Sequence, residues 1–421
     1  MNPSLHYDAV VLGAGVAGLT AATRLAEGGA RVCVLAKGVG STHLAPGTVD
    51  VLGYGPDRVD EPARALPGFI ADHPDHPYAL IGAEAIAPAL DWFSARIERG
   101  PQPGYRYAGG LDRNHLLPTA VGALRPSALV PETMANGDMR ALGRVCVVGM
   151  RVLRDFHASL CAGNLRRAGI EARAVDVDVD VGRVEANALG LARRFDDKNF
   201  RGAFAARLAL HLEPGERVAL PAILGLSDPH DVWSDLERRL GRSVFEIPTL
   251  PPSVPGMRVY NALVAALRAA GGRLVLGAEA VGVEREGEHV GAVRAHTSGH
   301  DTLFHTRWVV LATGGFGSGA IELDSTWRPR ENVLGLPLWG MPAEGEPRFS
   351  ADYFGPQPMS TVGVAVESGL LAAGTENVFV AGAALPGAVP WREGSGEGIA
   401  LATGQFVAQA VLDRDKAALT A

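Results

Sequence analysis

Four consecutive apolar residues, Ala9-Val10-Val11-Leu12, break into Gly13-Ala14-Gly15-Val16-Ala17-Gly18. An apolar run without alternation predicts a strand buried on both faces. The pattern then predicts a helix through Leu25 and Ala26, ended by Gly28-Gly29. Arg31-Val32-Cys33-Val34-Leu35 follows as a second buried strand. The glycines between strand and helix serve different ends. Gly13 makes the tight turn, Gly15 admits a phosphate to the backbone, and Gly18 lets helix and strand pack closely. Unpaired N–H groups at the helix start favour an anion. The unit therefore predicts a bound nucleotide cofactor. Such units usually close their second strand with an acid that accepts from the ribose hydroxyls. Here that place falls at Leu35-Ala36-Lys37, and Ala36 cannot accept a hydrogen bond.

Further along, the polar, turn-rich segment 41–50 reads as a ligand-edge loop, and the Pro- and His-rich residues 60–77 read as a linker. Ile86, Leu90, Phe93 and Ile97 recur at helical spacing. Residues 105–118 read as a hairpin around Gly109-Gly110. A second strand–helix alternation begins at Arg144: strands at 145–149, 171–177, 217–220 and 243–247, helices at 156–168 and 231–240. Gly149 lacks the full glycine set. The first pattern resumes with a helix at 259–269, a strand at 274–276, a hairpin at 281–296, and a buried strand at 306–311 ending in Ala312-Thr313-Gly314-Gly315. A late strand, 377–382, precedes the glycine-rich stretch 394–398, which opens a final helix through Val407 and Val411. The fold class is α/β, a Rossmann-like FAD/NAD(P)-binding flavoprotein fold with an inserted α/β domain. The expected division is 1–60 with 255–421 for the cofactor domain and 61–254 for the insertion.

Composition narrows the classes. With 421 residues, 47% hydrophobic and 20% charged, the chain suits two or three well-filled domains, and its net charge of −7 offers no basic surface to nucleic acid. Of its 39 cations only Lys37, Lys198 and Lys416 are lysines, a bias that fits genomic base composition. Cys33, Cys146 and Cys161 form no CxxC and supply neither an iron–sulfur site nor a redox dithiol. The longest apolar stretch, 9–23, is shorter than the roughly 20 residues of a membrane helix. No cation precedes it, so it is not a secretory signal, and a cytoplasmic chain is expected. His73 and His76 with Asp72 and Asp75 carry too few ligands for a metal, and none is expected.

The N-terminal GxGxxG, the 309–315 strand end and the late 377–382 strand together resemble a two-dinucleotide-binding flavoprotein. That resemblance implies phosphates over Gly13, Ala14, Gly15, Val16, Ala17 and Gly18. It sets Ala36 and Lys37 at the ribose side, and Thr313 and Gly314 near adenine or flavin. Gly382, Ala383, Gly398 and Ile399 would lie at the ribitol and pyrimidine end. Ala383 stands where the late motif usually carries an Asp, a second missing acid.

Six stretches, 42–52, 76–82, 144–149, 155–160, 221–228 and above all Ile247–Arg258 (IPTLPPSVPGMR), are similar to the B-subunit family of anaerobic glycerol-3-phosphate dehydrogenase. The resemblance implies an FMN-binding chain, with FAD the alternative. It also implies two partners: an FAD-containing catalytic A subunit, and a membrane-attached iron–sulfur C subunit. The reaction implied is oxidation of sn-glycerol 3-phosphate to dihydroxyacetone phosphate at the inner face of the cell membrane, with electrons passing to quinone. Two other readings stand beside it: a self-contained FAD-dependent, fumarate-reductase-like oxidoreductase, and a non-catalytic assembly subunit. The chemistry asks for a hydride acceptor, a base and phosphate-binding cations. His43 is the candidate base or a turn-bonding residue. Arg125 and Arg392 are candidate phosphate ligands or surface ion-pair partners.

Overall fold

The computed structural model describes residues 5–141, 143–182 and 187–420. Two compact units emerge: residues 1–41, 65–93 and 263–421 form the first, and 42–64 with 94–262 the second.

The first unit is built on a seven-stranded sheet. Its order is Arg273–Leu276, Val32–Ala36, Leu5–Leu12, His300–Leu311, His289–Thr297, Glu279–Glu286, with Val378–Val380 also pairing His300–Leu311. The apolar runs pair in parallel, Leu12 opposite both Leu35 and Leu311, and Leu311 opposite Val380. All five residues of Val32–Ala36 are buried, as are Ala9–Leu12, Val309–Leu311 and Val378–Val380. Parallel strands need both faces covered, which is why these runs do not alternate. The antiparallel strands 279–286 and 289–297, joined at Gly287 (φ +62°), extend the sheet. Helix Val16–Glu27 follows the opening strand, and the closing helix Gly396–Thr420 crosses it at Gly404, where a Cβ would lie 2.6 Å from Ala17 O.

The second unit centres on a four-stranded parallel sheet ordered Val244–Ile247, Glu216–Pro221, Arg144–Gly149, Ala172–Asp176. Val145, Val147, Val218, Leu220, Phe245 and Ile247 fill its core together with Leu165 and Leu236 of the flanking helices. Arg258 is wholly buried. Its guanidinium pairs with Glu246 at 2.7 Å and reaches the carbonyls of Leu224 and Gly225. The motif stretch at 247–258 therefore ends on a residue that staples this core.

Two local expectations are corrected. Residues 60–77 are not a linker: Pro62–Asp72 is a helix and Pro77–Ile81 another. Pro62 stands in the first turn, where no N–H is missed, and Leu66, Phe69 and Ile70 share a helical face that outweighs the interior Pro67. Residues 105–118 are not one hairpin. Tyr107–Gly109 pairs with Leu129–Pro131, and His115–Pro118 with Leu124–Ser127, so the hairpin turn is at Gly122. Gly109-Gly110 instead lies beside Ala128, whose carbonyl accepts the Gly110 N–H at 2.9 Å.

Candidate functional site

Strand ends of the first unit's parallel sheet are tied together at its carboxyl edge. Gly13 N–H donates to Leu35 O, Ala312 N–H to Leu12 O and Ala381 N–H to Leu311 O, each at 2.9 Å. This brings together the Gly13–Gly18 loop, the Thr313–Gly315 turn and the Gly382–Ala384 turn. Open α/β sheets bind ligands at this edge.

The three glycines of the opening loop are not equivalent. Gly13 has φ +109°, and a Cβ there would fall 2.3 Å from Ala312 O; at Gly18 it would fall 2.1 Å from Gly13 O. Both are consumed by packing. At Gly15 nothing lies within 4 Å of the position a Cβ would take. That space lies at the start of helix Val16–Glu27, which has Gly15 as N-cap, no capping side chain and no acid in its first turn. Ala14 and Ala17 are buried beneath the loop. An uncapped helix start beside open space suits an anion. The Thr313 hydroxyl supports the fit, since its oxygen is buried without a hydrogen-bond partner. Buried hydroxyls are normally paired.

Around this loop, Gly314 takes φ +85°, and at Gly315 a Cβ would meet Ala383 O at 2.6 Å, so the two turns abut. The Gly382 N–H donates to Thr403 Oγ1 at 2.9 Å, fastening its turn to the closing helix. Gly398 and Ile399 are buried in that helix's first turn, and Ala383 is exposed. Ala36 ends its strand 5% exposed, and its carbonyl accepts from Ala278. Lys37 points to solvent and pairs with Glu279 at 2.9 Å, which holds the ammonium above its usual pKa.

The three reaction candidates have separate surroundings. In the first unit, Arg392 gives Nη2 to the carbonyls of Phe354 and Gly355. In the second, Arg125 pairs with buried Asp50, whose other bond is to Thr48. Also there, His43 packs edge-on against Tyr260 with ring centroids 4.9 Å apart. Its Nε2 is buried and unpartnered, and burial holds its pKa below the ordinary value. The cysteines are buried, and desolvation pushes their thiols to about 11 for Cys33 and Cys146 and about 12 for Cys161, so none is a ready thiolate.

One first-unit pair has no local sequence signal. His76, 1% exposed, accepts the Tyr78 N–H at Nδ1, and its Nε2 lies 3.1 Å from Glu393 Oε2. Glu393 also accepts from Ser395 Oγ at 2.7 Å and Val389 N–H at 2.6 Å. Burial pushes the Glu393 carboxyl up, and these bonds outweigh it, leaving the pKa lowered. The pair anchors the turn that enters the closing helix. His and Glu stand 317 residues apart, beyond any periodicity.

Comparison with known proteins decides the lineage. Residues 8–399 match the FAD binding domain family. The B subunit of anaerobic glycerol-3-phosphate dehydrogenase from Pectobacterium carotovorum is 32% identical over 97% of this chain and 99% of its own. A probable B subunit of the same enzyme from Halobacterium salinarum is 32% identical over 95% of this chain and 96% of its own. This chain belongs to that B-subunit family, within the FAD-binding flavoproteins. Among solved structures, an E. coli quinol fumarate reductase chain aligns with 9% identity, covering 99% of this chain and 71% of that one, at a TM-score of 0.46. As a family member the chain is a flavin-binding oxidoreductase, and the Gly15 cradle and Thr313 hydroxyl suit that cofactor's phosphate end. Among the described residues no helix is long and apolar enough to cross a membrane.

Proposed function

We propose that this chain is the flavin subunit of an anaerobic glycerol-3-phosphate dehydrogenase, oxidising sn-glycerol 3-phosphate to dihydroxyacetone phosphate. One partner is an FAD-containing catalytic A subunit. The other is a membrane-attached iron–sulfur C subunit, through which electrons reach quinone at the inner face of the membrane. The observation that carries this reading is near full-length similarity to proteins named as B subunits of that dehydrogenase, at 95–97% coverage of the chain. A bound flavin supplies the two-electron acceptor.

The residues of the chain do the rest. Amides at the start of helix Val16–Glu27 would hold a phosphate of the flavin, and the unpartnered Thr313 hydroxyl would be a further donor for it. Gly314, Gly382, Ala383, Gly398 and Ile399 would offer the rest of the flavin backbone rather than charge. His43 is the proposed proton acceptor, because its half-buried ring has an unpartnered Nε2 and a lowered pKa, which favours the neutral form. The flavin is proposed to be FMN. Ala36 offers the adenosine ribose no acceptor, a bond worth roughly 1.5–3 kcal/mol when charge-assisted, and FMN needs no such clamp.

The test is reconstitution. The isolated chain is expected to carry FMN by extraction and chromatography and to be unable to pass electrons from glycerol 3-phosphate to quinone. Activity is expected on adding both partner subunits. Full quinone reduction by the chain alone refutes the multi-subunit reading, and stoichiometric extracted FAD refutes the choice of FMN.

A further inference from the structure

Arg328, Arg330 and Arg348 of the first unit line one cleft of about 460 Å³. Among the described residues, none of the three guanidinium groups forms an ion pair or donates a side-chain hydrogen bond, and Arg348 Nη1 is buried with no partner. Arg328 and Arg330 are exposed and Arg348 is half-buried, and a buried charged donor without an acceptor is costly. Asp324, whose carboxyl is held below its ordinary value by the Thr326 hydroxyl and, less, by the Arg328 charge, relieves part of the positive charge here. Glu331 spends its carboxylate on the amides of Val333 and Leu334 at 2.9 and 2.7 Å. Asp324 accepts from the amides of Thr326 and Arg328 at 2.8 and 2.9 Å. Glu322 stands opposite Arg330 in the short sheet without an ion pair.

The walls are held in place. Arg285 Nη2 donates to Leu334 O at 2.6 Å, and Asn332 Nδ2 to Gly319 O at 2.8 Å. Ala320 N–H donates to Gly315 O at 3.2 Å, which ties this side of the cleft to the Thr313–Gly315 turn of the flavin site. Ala365 N–H donates to Pro337 O at 2.8 Å, and Leu338 pairs with Val364. Leu336, Leu338 and Met341 line the cleft beside the arginines and offer a carbon skeleton an apolar wall. Guanidinium forks match phosphate oxygens, and a cleft of this size holds a small molecule.

We propose that this cleft binds the phosphate of a small phosphate monoester, of the size and class of glycerol 3-phosphate. The three arginines carry the phosphate recognition. The choice of a three-carbon ester rests on the glycerol-3-phosphate dehydrogenase reading above. Arg125 and Arg392 are engaged by Asp50 and by two carbonyls, whereas these arginines have donors to give.

The experiment is calorimetric titration of the full chain, as purified with its flavin, against glycerol 3-phosphate, inorganic phosphate and glycerol. Saturable binding of glycerol 3-phosphate and none of glycerol is expected. Arg348→Met should weaken binding at least tenfold, and so should the exposed, fold-neutral Arg328→Met, while flavin absorbance is retained. Inorganic phosphate binding with the same sensitivity to both variants supports the phosphate site and assigns no role to the carbon chain. Unchanged affinity in both variants overturns the proposal, as does absence of any phosphate binding. So does binding only to vesicles containing phosphatidic acid, with none to the soluble ester. A chain that lacks flavin yet binds phosphate through these arginines would sink the flavin reading and leave this one standing.

Discussion

The parallel strands of the two sheets are the same device finished in two ways. In the first unit the opening strand ends at Leu12 and its helix begins at Val16, so the helix start sits at the strand end. In the second, the strand Arg144–Gly149 ends on glycine, but its helix starts only at Ala158. A Cβ on Gly149 would meet the Asp176 carboxylate at 2.3 Å, whereas one on Gly15 would meet nothing. One sheet edge is left open to an anion, and the other is closed by an anion of its own. Sharing an α/β architecture thus does not make a cofactor site. The length of one turn and one unfilled volume do.

The largest expected effect lies on the closed side. Arg258→Met would leave Glu246, 0% exposed, as a buried unpaired charge, at a cost of about 3–5 kcal/mol. Chemical denaturation should show it, and a loss under about 1 kcal/mol would mean the pair is solvated.

On the open side, Gly15→Val should abolish flavin retention with the circular dichroism spectrum preserved, since the new side chain fills only the phosphate space. Gly18→Val, driven into Gly13 O, should instead lower soluble yield. Equal behaviour of the two variants would erase the distinction drawn between open and packed glycines.

A smaller effect is expected at the His76–Glu393 anchor. Its carboxyl has a folded pKa below the unfolded value. The stability it adds is therefore present above the unfolded carboxylate range and is lost as pH falls through the folded pKa. Glu393→Gln should cost about 1 kcal/mol at neutral pH and flatten the acid limb of a melting-temperature profile. An acid limb of unchanged steepness would assign that limb to other carboxylates.

The smallest belongs to Lys37. Its exposed pair with Glu279 is screened by solvent, so Lys37→Met should leave both melting temperature and flavin retention unchanged. Lost flavin in that variant would make the ammonium a cofactor ligand.

Sequence alone was enough for the parallel strands and for the glycine loop. A strand covered on both faces must be apolar throughout, and a turn with φ +109°, where a Cβ would fall 2.3 Å from a carbonyl oxygen, must be glycine. Those demands are local and leave a local trace. The helix at Pro62–Asp72 left a weaker one, because its prolines are turn formers elsewhere and only burial of Leu66 shows which face won. Which arginines keep their donors, and that His76 finds Glu393, were decided by tertiary structure. Each depends on what a distant segment places within a few ångströms, and side chains 317 residues apart share no period that a sequence can display.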